Sequence, residues 1–173
     1  MNTESSRKKY KSLLYFLESN QNWGLAFSGG MDSAFLLMAL KESGVQVKCI
    51  TIQTPYMHSR EIQRAQELSK RLEVEHHVIS INFLEDLKSN PENRCYVCKR
   101  YIISAISKYL STEYVLCDGS NWDDLSEYRP GRKALEESSV VSPLVETKIT
   151  KDDIRKLLSI NGYEGLILSP NAC

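Results

Sequence analysis

With 173 residues, 42% of them apolar and 25% charged, the chain has the length and composition of one globular domain with a core of its own. Its 22 Lys and Arg balance 22 Asp and Glu, which excludes a global basic field that would draw nucleic acid or an anionic membrane. No stretch approaches the ~20 apolar residues of a membrane span, and the opening "MNTESSRKKYK" lacks the apolar segment of a secretory signal, so the chain reads as cytoplasmic and without membrane contact.

Residues 4–19 carry Tyr10, Leu13, Leu14, Phe16 and Leu17 at helical spacing. Residues 23–27 read as a first strand, and residues 33–43 as a helix closed by Gly44. The β-branched run at 45–54 predicts a strand buried on both faces. "HSREIQRAQELSKRLEV" puts Ile62, Ala65, Leu68 and Leu72 on one helical stripe, and residues 75–81 follow as a third strand. "CKRYIISAISKYL" is a helix with Ile102, Ile103, Ile106 and Leu110 inward, and "EYVLCDGS" is a fourth strand. A short fifth strand is expected around 140–141. "TKDDIRKLLSING" opens on a Thr150–Asp153 capping box and closes near Gly162. The tail "GYEGLILSPNAC" reads as a last strand and an exit loop. This alternation predicts an α/β fold, a Rossmann-like parallel sheet with helices on both faces. The expected organisation is a single domain over 1–173, with an N-terminal helix in 1–20 and an exit segment in 163–173.

The stretch "AFSGGMDSAFLL" places a glycine pair between a strand and a helix. Glycines let the backbone approach closely, and successive N–H groups with the helix N-terminus point at an anion. A tight turn holding nothing is the alternative. Ser28 and Ser33 add hydroxyls on either side, and Asp32 suits a phosphate carried with Mg²⁺. Neither a Walker A loop nor a dinucleotide fingerprint is present.

Of five cysteines, Cys49 and Cys117 sit in apolar strand-like runs and read as small buried hydrophobes. Cys95 and Cys98, in "NPENRCYVCKR", stand at a loop-to-helix junction flanked by cations. A lone C-x-x-C suits half a metal site, a redox pair or two structural thiols; without a second pair, zinc is disfavoured. In "CDGSNWDDLSEYRPGRKALEE", acids and then bases follow the fourth strand. Ligands of open parallel sheets bind at the carboxyl ends of strands, so this loop faces the same crevice as the glycine turn. Asn121, Asp124, Arg129 and Arg132 are therefore the candidates for a nucleotide-like substrate; a solvated charged loop is the alternative.

"SGGMDS" resembles the SGGxDS signature of the ATP pyrophosphatase (PP-loop) superfamily. The resemblance implies cleavage of ATP between its α- and β-phosphates, with Ser28, Gly29, Gly30, Asp32 and Ser33 gripping the pyrophosphate and its Mg²⁺. "FSGGMDS", "NPENRCYVCK", "DGSNWDDLSEYRPG", "SPLVETKITKDDIR" and the terminal "SPNAC" together resemble the LarE family over residues 24–173. These are ATP-dependent sacrificial sulfur transferases that act in maturing a nickel pincer cofactor. The resemblance implies that a carboxylate of a pyridinium mononucleotide is adenylated and that a cysteine thiolate then displaces AMP. Cleavage of the cysteine Cβ–S bond leaves a thiocarboxylate on the substrate. Cys173 stands at the donor position, so Cys173 and Asp32 are the catalytic candidates.

Some relatives hold a [4Fe–4S] cluster on three cysteines; Cys95, Cys98 and Cys173 repeat that pattern, and Cys173 is then a ligand. The family continues past the point where this sequence stops. The sequence is thus a fragment, a chain completed by a partner or a second copy of itself, or a shortened relative with another substrate. Two rival readings are a cluster-dependent tRNA thiolase, which the zero net charge disfavours, and a nucleotide-binding domain without catalysis.

Overall fold

A computed structural model describes residues 3–54, 59–82, 93–126 and 130–166. Four parallel strands, β1 (Asn22–Ala26), β2 (Gln46–Gln53), β3 (Glu75–Ser80) and β4 (Val115–Asp118), form one sheet in the order β3-β2-β1-β4. The chain winds outward from β1 to β3 and then returns to the other side of β1. That reversal puts the topological switch point at the carboxyl ends of β1 and β4.

The central strands are apolar on both faces because both are covered. On one face Trp23, Leu25, Cys49 and Cys117 enter the main core with helices α1 (Thr3–Leu17), α2 (Met31–Glu42), α3 (Ser59–Arg71) and, later in the chain, Lys151–Ile160. On the other, Ile50 and Ile52 meet Ile106 of α4 (Arg94–Tyr109), and α4 in turn holds α5 (Pro130–Glu137) through Ile103, Ala134 and Leu135. Cys49 and Cys117 are buried as expected, and burial pushes both thiols upward in pKa, away from reactivity. His76 and His77 face opposite ways: His76 Nε2 lies 2.8 Å from Thr51 Oγ1, and His77 Nε2 lies 2.7 Å from a Glu75 carboxylate oxygen.

The fifth strand is reduced to one parallel bridge between Cys117 and Val141. Asp118 N donates to Val141 O at 3.0 Å and Val141 N to Leu116 O at 2.9 Å. Pro143 follows two residues later; it has no N–H to extend a ladder and starts α6 (Pro143–Glu146) at once. In the tail, Glu164–Leu166 form a 3-10 turn instead of strand, and residues 167–173 lie outside the described residues. Among the described residues no helix is long and apolar enough to cross a membrane.

The expected capping box opens α7 (Lys151–Ile160): Thr150 Oγ1 accepts from Asp153 N at 3.1 Å, and an Asp153 carboxylate oxygen accepts from Thr150 N at 3.1 Å. Asp153 also accepts from Ser6 Oγ and Lys9 Nζ, both at 2.6 Å, and so clasps α1 to α7. Burial alone would raise its carboxyl pKa, but Lys9, Ser6 and Thr150 outweigh it and hold the group below the ordinary carboxylate range. We expect Asp153→Ala to lose about 2–3 kcal/mol at pH 7, since several charge-assisted bonds go at once. A depressed folded pKa gives stability that is present above about pH 3.9 and fades as pH falls through the folded value. Thermal unfolding of the two proteins should therefore differ most at neutral pH and converge in acid.

Candidate nucleotide-phosphate site

The turn leaving β1 is built before any ligand arrives. Phe27 N still pairs with Ile50 O at 2.8 Å, and Thr51 Oγ1 donates to Phe27 O at 2.6 Å. Gly29 then takes φ +75°, and a Cβ there would lie 2.8 Å from the Glu61 carbonyl of α3. Only glycine satisfies both conditions. Gly30 is the extended N-cap residue of α2 and supplies no side-chain cap. Its N–H donates to Ser28 Oγ at 3.2 Å, Ser33 Oγ donates to Gly30 O at 3.1 Å, and the two hydroxyls lie 3.1 Å apart. The result is an ordered loop over the start of α2, where N–H groups and the helix dipole favour an anion.

Asp32 stands in the first turn of α2. One carboxylate oxygen accepts from Asn121 Nδ2 at 2.9 Å; the other has no hydrogen-bond partner among the described residues. Burial raises the Asp32 pKa, while the Asn121 bond and the charges of Lys151 and Arg155 oppose the rise, and Asp124 adds to it. Asn121 is fully buried and its amide is locked, because Oδ1 accepts from Asp123 N at 2.9 Å, which leaves Nδ2 aimed at Asp32. Asp124 accepts from Asn121 N at 3.0 Å and lies 3.5 Å from Lys151 Nζ. Lys151 N donates to Asp123 at 2.8 Å, tying α7 to the same turn.

Gly119 closes the gap between the two segments: a Cβ there would fall 2.8 Å from both N and Cα of Ser33. The end of β4 thus runs against the N-terminus of α2, at the switch point. Beside the turn, an open groove of about 430 Å³ runs from Gly29 and Met31 past Arg64 and Arg71 to Tyr163.

Of the residues expected from the sequence, Ser28, Gly29, Gly30, Asp32 and Ser33 share one site with Asn121 and Asp124. Those last two are buried, and their described contacts run to Asp32, Lys151 and their own turn. Arg132, on α5, is exposed and pairs with Glu136 at 2.9 Å. Cys95 is exposed and Cys98 half-buried in the first turns of α4. Among the described residues no group of three His, Cys, Asp or Glu could hold a metal ion. Arg129 and Cys173 lie outside the described residues. Lys151 and Gly119 were not legible as site residues: the first reads only as part of a helix start, and the second as one more turn glycine.

Comparison with known proteins agrees with this geometry. The family model for Queuosine biosynthesis protein QueC matches residues 25–97. An uncharacterised protein of Methanocaldococcus jannaschii, MJ0830, is 36% identical over 88% of this chain and 61% of its own length. The pyridinium-3,5-bisthiocarboxylic acid mononucleotide synthase of Lactiplantibacillus plantarum is 29% identical over 86% of this chain and 56% of its own length. NMN synthetase of Francisella tularensis shares the fold, with a TM-score of 0.77 at 16% identity, over 96% of this chain and 75% of that one. These similarities, with the parallel sheet and the glycine turn at its switch point, agree with the resemblance to the PP-loop ATP pyrophosphatase superfamily. Among them, the similarity to the pyridinium-3,5-bisthiocarboxylic acid mononucleotide synthase agrees with the resemblance to LarE. The chain spans about three fifths of the length of the curated relatives it matches.

Proposed function

We propose that this chain carries the ATP-binding and adenylating centre of a LarE-type sulfur transferase. The observation that carries the reading is Asp32, held by Asn121 through one oxygen with the other unpartnered among the described residues, at a helix start without a side-chain cap. A free buried carboxylate oxygen suits a hard cation such as Mg²⁺, and the N–H groups beside it suit the phosphates that cation accompanies. An Mg²⁺ held by Asp32 would neutralise phosphate charge. The turn residues position the β- and γ-phosphates and leave the α-phosphorus open.

An oxygen of the acceptor carboxylate then bonds to the α-phosphorus, and the α–β bridging oxygen leaves with its electron pair as part of pyrophosphate. The protein's part is alignment and charge stabilisation. The name of the Lactiplantibacillus relative supports a pyridinium mononucleotide acid as acceptor. The zero net charge favours this small nucleotide-like partner over tRNA. In the second step the Cys173 thiolate bonds to the acyl carbon and expels AMP; scission of its Cβ–S bond, with loss of the α-proton, leaves dehydroalanine.

The test supplies ATP, Mg²⁺ and pyridinium-3,5-biscarboxylic acid mononucleotide, and reads pyrophosphate and protein mass. The wild type should release pyrophosphate, and its Cys173 peptide should lose the mass of H₂S. Cys173→Ser should still release pyrophosphate yet form no thiocarboxylate. An unchanged Cys173 peptide from a brown, oxygen-sensitive protein would instead favour the cluster reading with Cys95 and Cys98 as ligands, since cluster iron prefers thiolates. No pyrophosphate with any carboxylic acid, despite ATP binding, would leave only the nucleotide-binding reading.

A further inference from the structure

The first two turns of α7 divide their side chains among distinct tasks. Asp153 turns to α1, and Ile154, Leu157 and Leu158 are buried in the core. Asp152 and Lys156 pair with each other on the outer surface. Lys151 faces the site, with its backbone N–H on Asp123 and its ammonium 3.5 Å from Asp124. Arg155 is one helical turn further on, at i+4 from Lys151 and therefore on the same face. Helical side chains lean toward the N-terminus of their own helix, so Arg155 leans toward the Lys151 end of α7. Its charge acts on Asp32, favouring the ionised carboxylate.

Unlike Lys151, Arg155 is exposed and has no hydrogen-bond or ion-pair partner among the described residues. A guanidinium left uncommitted beside an anion-binding turn presents a planar fork that matches an oxyanion.

We propose that Arg155 is a substrate-contacting residue of this site. It binds the oxyanion at the reacting end of the nucleotide, opposite the turn that takes the β- and γ-phosphates. This rests on the reading that ATP occupies the turn. Two oxyanions meet at that point: the α-phosphate itself and the acceptor carboxylate brought against it. Arg155 transfers no proton in the step; it offsets negative charge while the new oxygen–phosphorus bond forms and pyrophosphate departs.

The experiment compares wild type, Arg155→Met and Arg155→Lys on the full chain. Titration calorimetry measures binding of magnesium α,β-methylene-ATP, and then of pyridinium-3,5-biscarboxylic acid mononucleotide to the loaded protein. Pyrophosphate release is followed with ATP in place of the analogue. Loss of one charge-assisted contact should weaken one ligand, or slow pyrophosphate release, by about 10–100-fold in R155M. R155K should recover part of that loss, because it keeps the charge and lacks the fork. Weaker analogue binding identifies the α-phosphate as the contact; weaker acid binding with analogue affinity kept identifies the carboxylate. Both affinities and the release rate of R155M within twofold of wild type would overturn the proposal. A wild type that binds no nucleotide would instead fail the reading beneath it, and is seen before any variant is made.

Discussion

Asp32→Asn should reduce pyrophosphate release by at least ~100-fold, the scale of losing one charge-stabilising group at the reacting phosphate, and should leave the protein folded and more stable at pH 7. The substitution keeps an oxygen for Asn121 Nδ2 to donate to and removes only the charge. Burial raises the Asp32 pKa, so the ionised form is disfavoured in the folded chain. An acid with a raised folded pKa contributes its stability below its unfolded pKa, near 3.9, and loses it as pH rises through the folded value. At neutral pH the wild type bears that penalty and the amide does not. Calorimetric unfolding should therefore give D32N the higher midpoint at pH 7, with the difference closing in acid. A variant that releases pyrophosphate at the wild-type rate would remove Asp32 from the chemistry. One that melts well below wild type at pH 7 would show that the carboxylate serves the fold.

The second large effect is expected at Gly119→Ala. The added methyl would sit 2.8 Å from the backbone N and Cα of Ser33, and backbone cannot turn aside as a flexible side chain does. The end of β4 and the start of α2 must separate by several tenths of an ångström. Such overpacking typically costs about 1–3 kcal/mol. The displacement falls on the first turn of α2 and on the Asn121–Asp32 bond, so nucleotide affinity should drop along with the unfolding midpoint. Gly165 provides the control, since a Cβ there meets nothing within 4 Å. G165A should match wild type in nucleotide titration and in thermal unfolding, and G119A should fail in both. A G119A protein with normal affinity would mean that the two segments can part without harm to the site.

These expectations differ in how far a reader of the bare sequence could have reached them. The sheet was legible because each strand is a short apolar run closed by a turn signal and followed by a helical stripe, which leaves only parallel pairing. The opposite facing of His76 and His77 follows from strand alternation alone. The glycine turn was legible because its chemistry is local: Ser28 through Ser33 meet one another without help from the rest of the fold. The bond from Asn121 to Asp32 spans 89 positions and exists only because the sheet order seats β4 beside β1. Residue spacing carries no trace of it, although the rule that strand ends gather ligands put both loops in one crevice. Lys151 and Arg155 were less legible still. Their sequence signal is that of a capped helix, and only the packing of α7 against the Asn121–Asp124 turn brings their charges to bear on Asp32. The fifth strand stops at one bridge: Val140 and Val141 have strand character, while Pro143 decides where it ends.

The clasp on Asp153 has a consequence for biosynthesis. It joins Ser6 and Lys9 to a residue 147 and 144 positions later. During synthesis α1 is made well before α6 and α7, which share the main core with it. Until they follow, α1 is covered only by its early neighbours, Trp23 and α2. Full burial of α1 is thus timed by the appearance of the Thr150–Asp153 turn rather than by completion of the sheet.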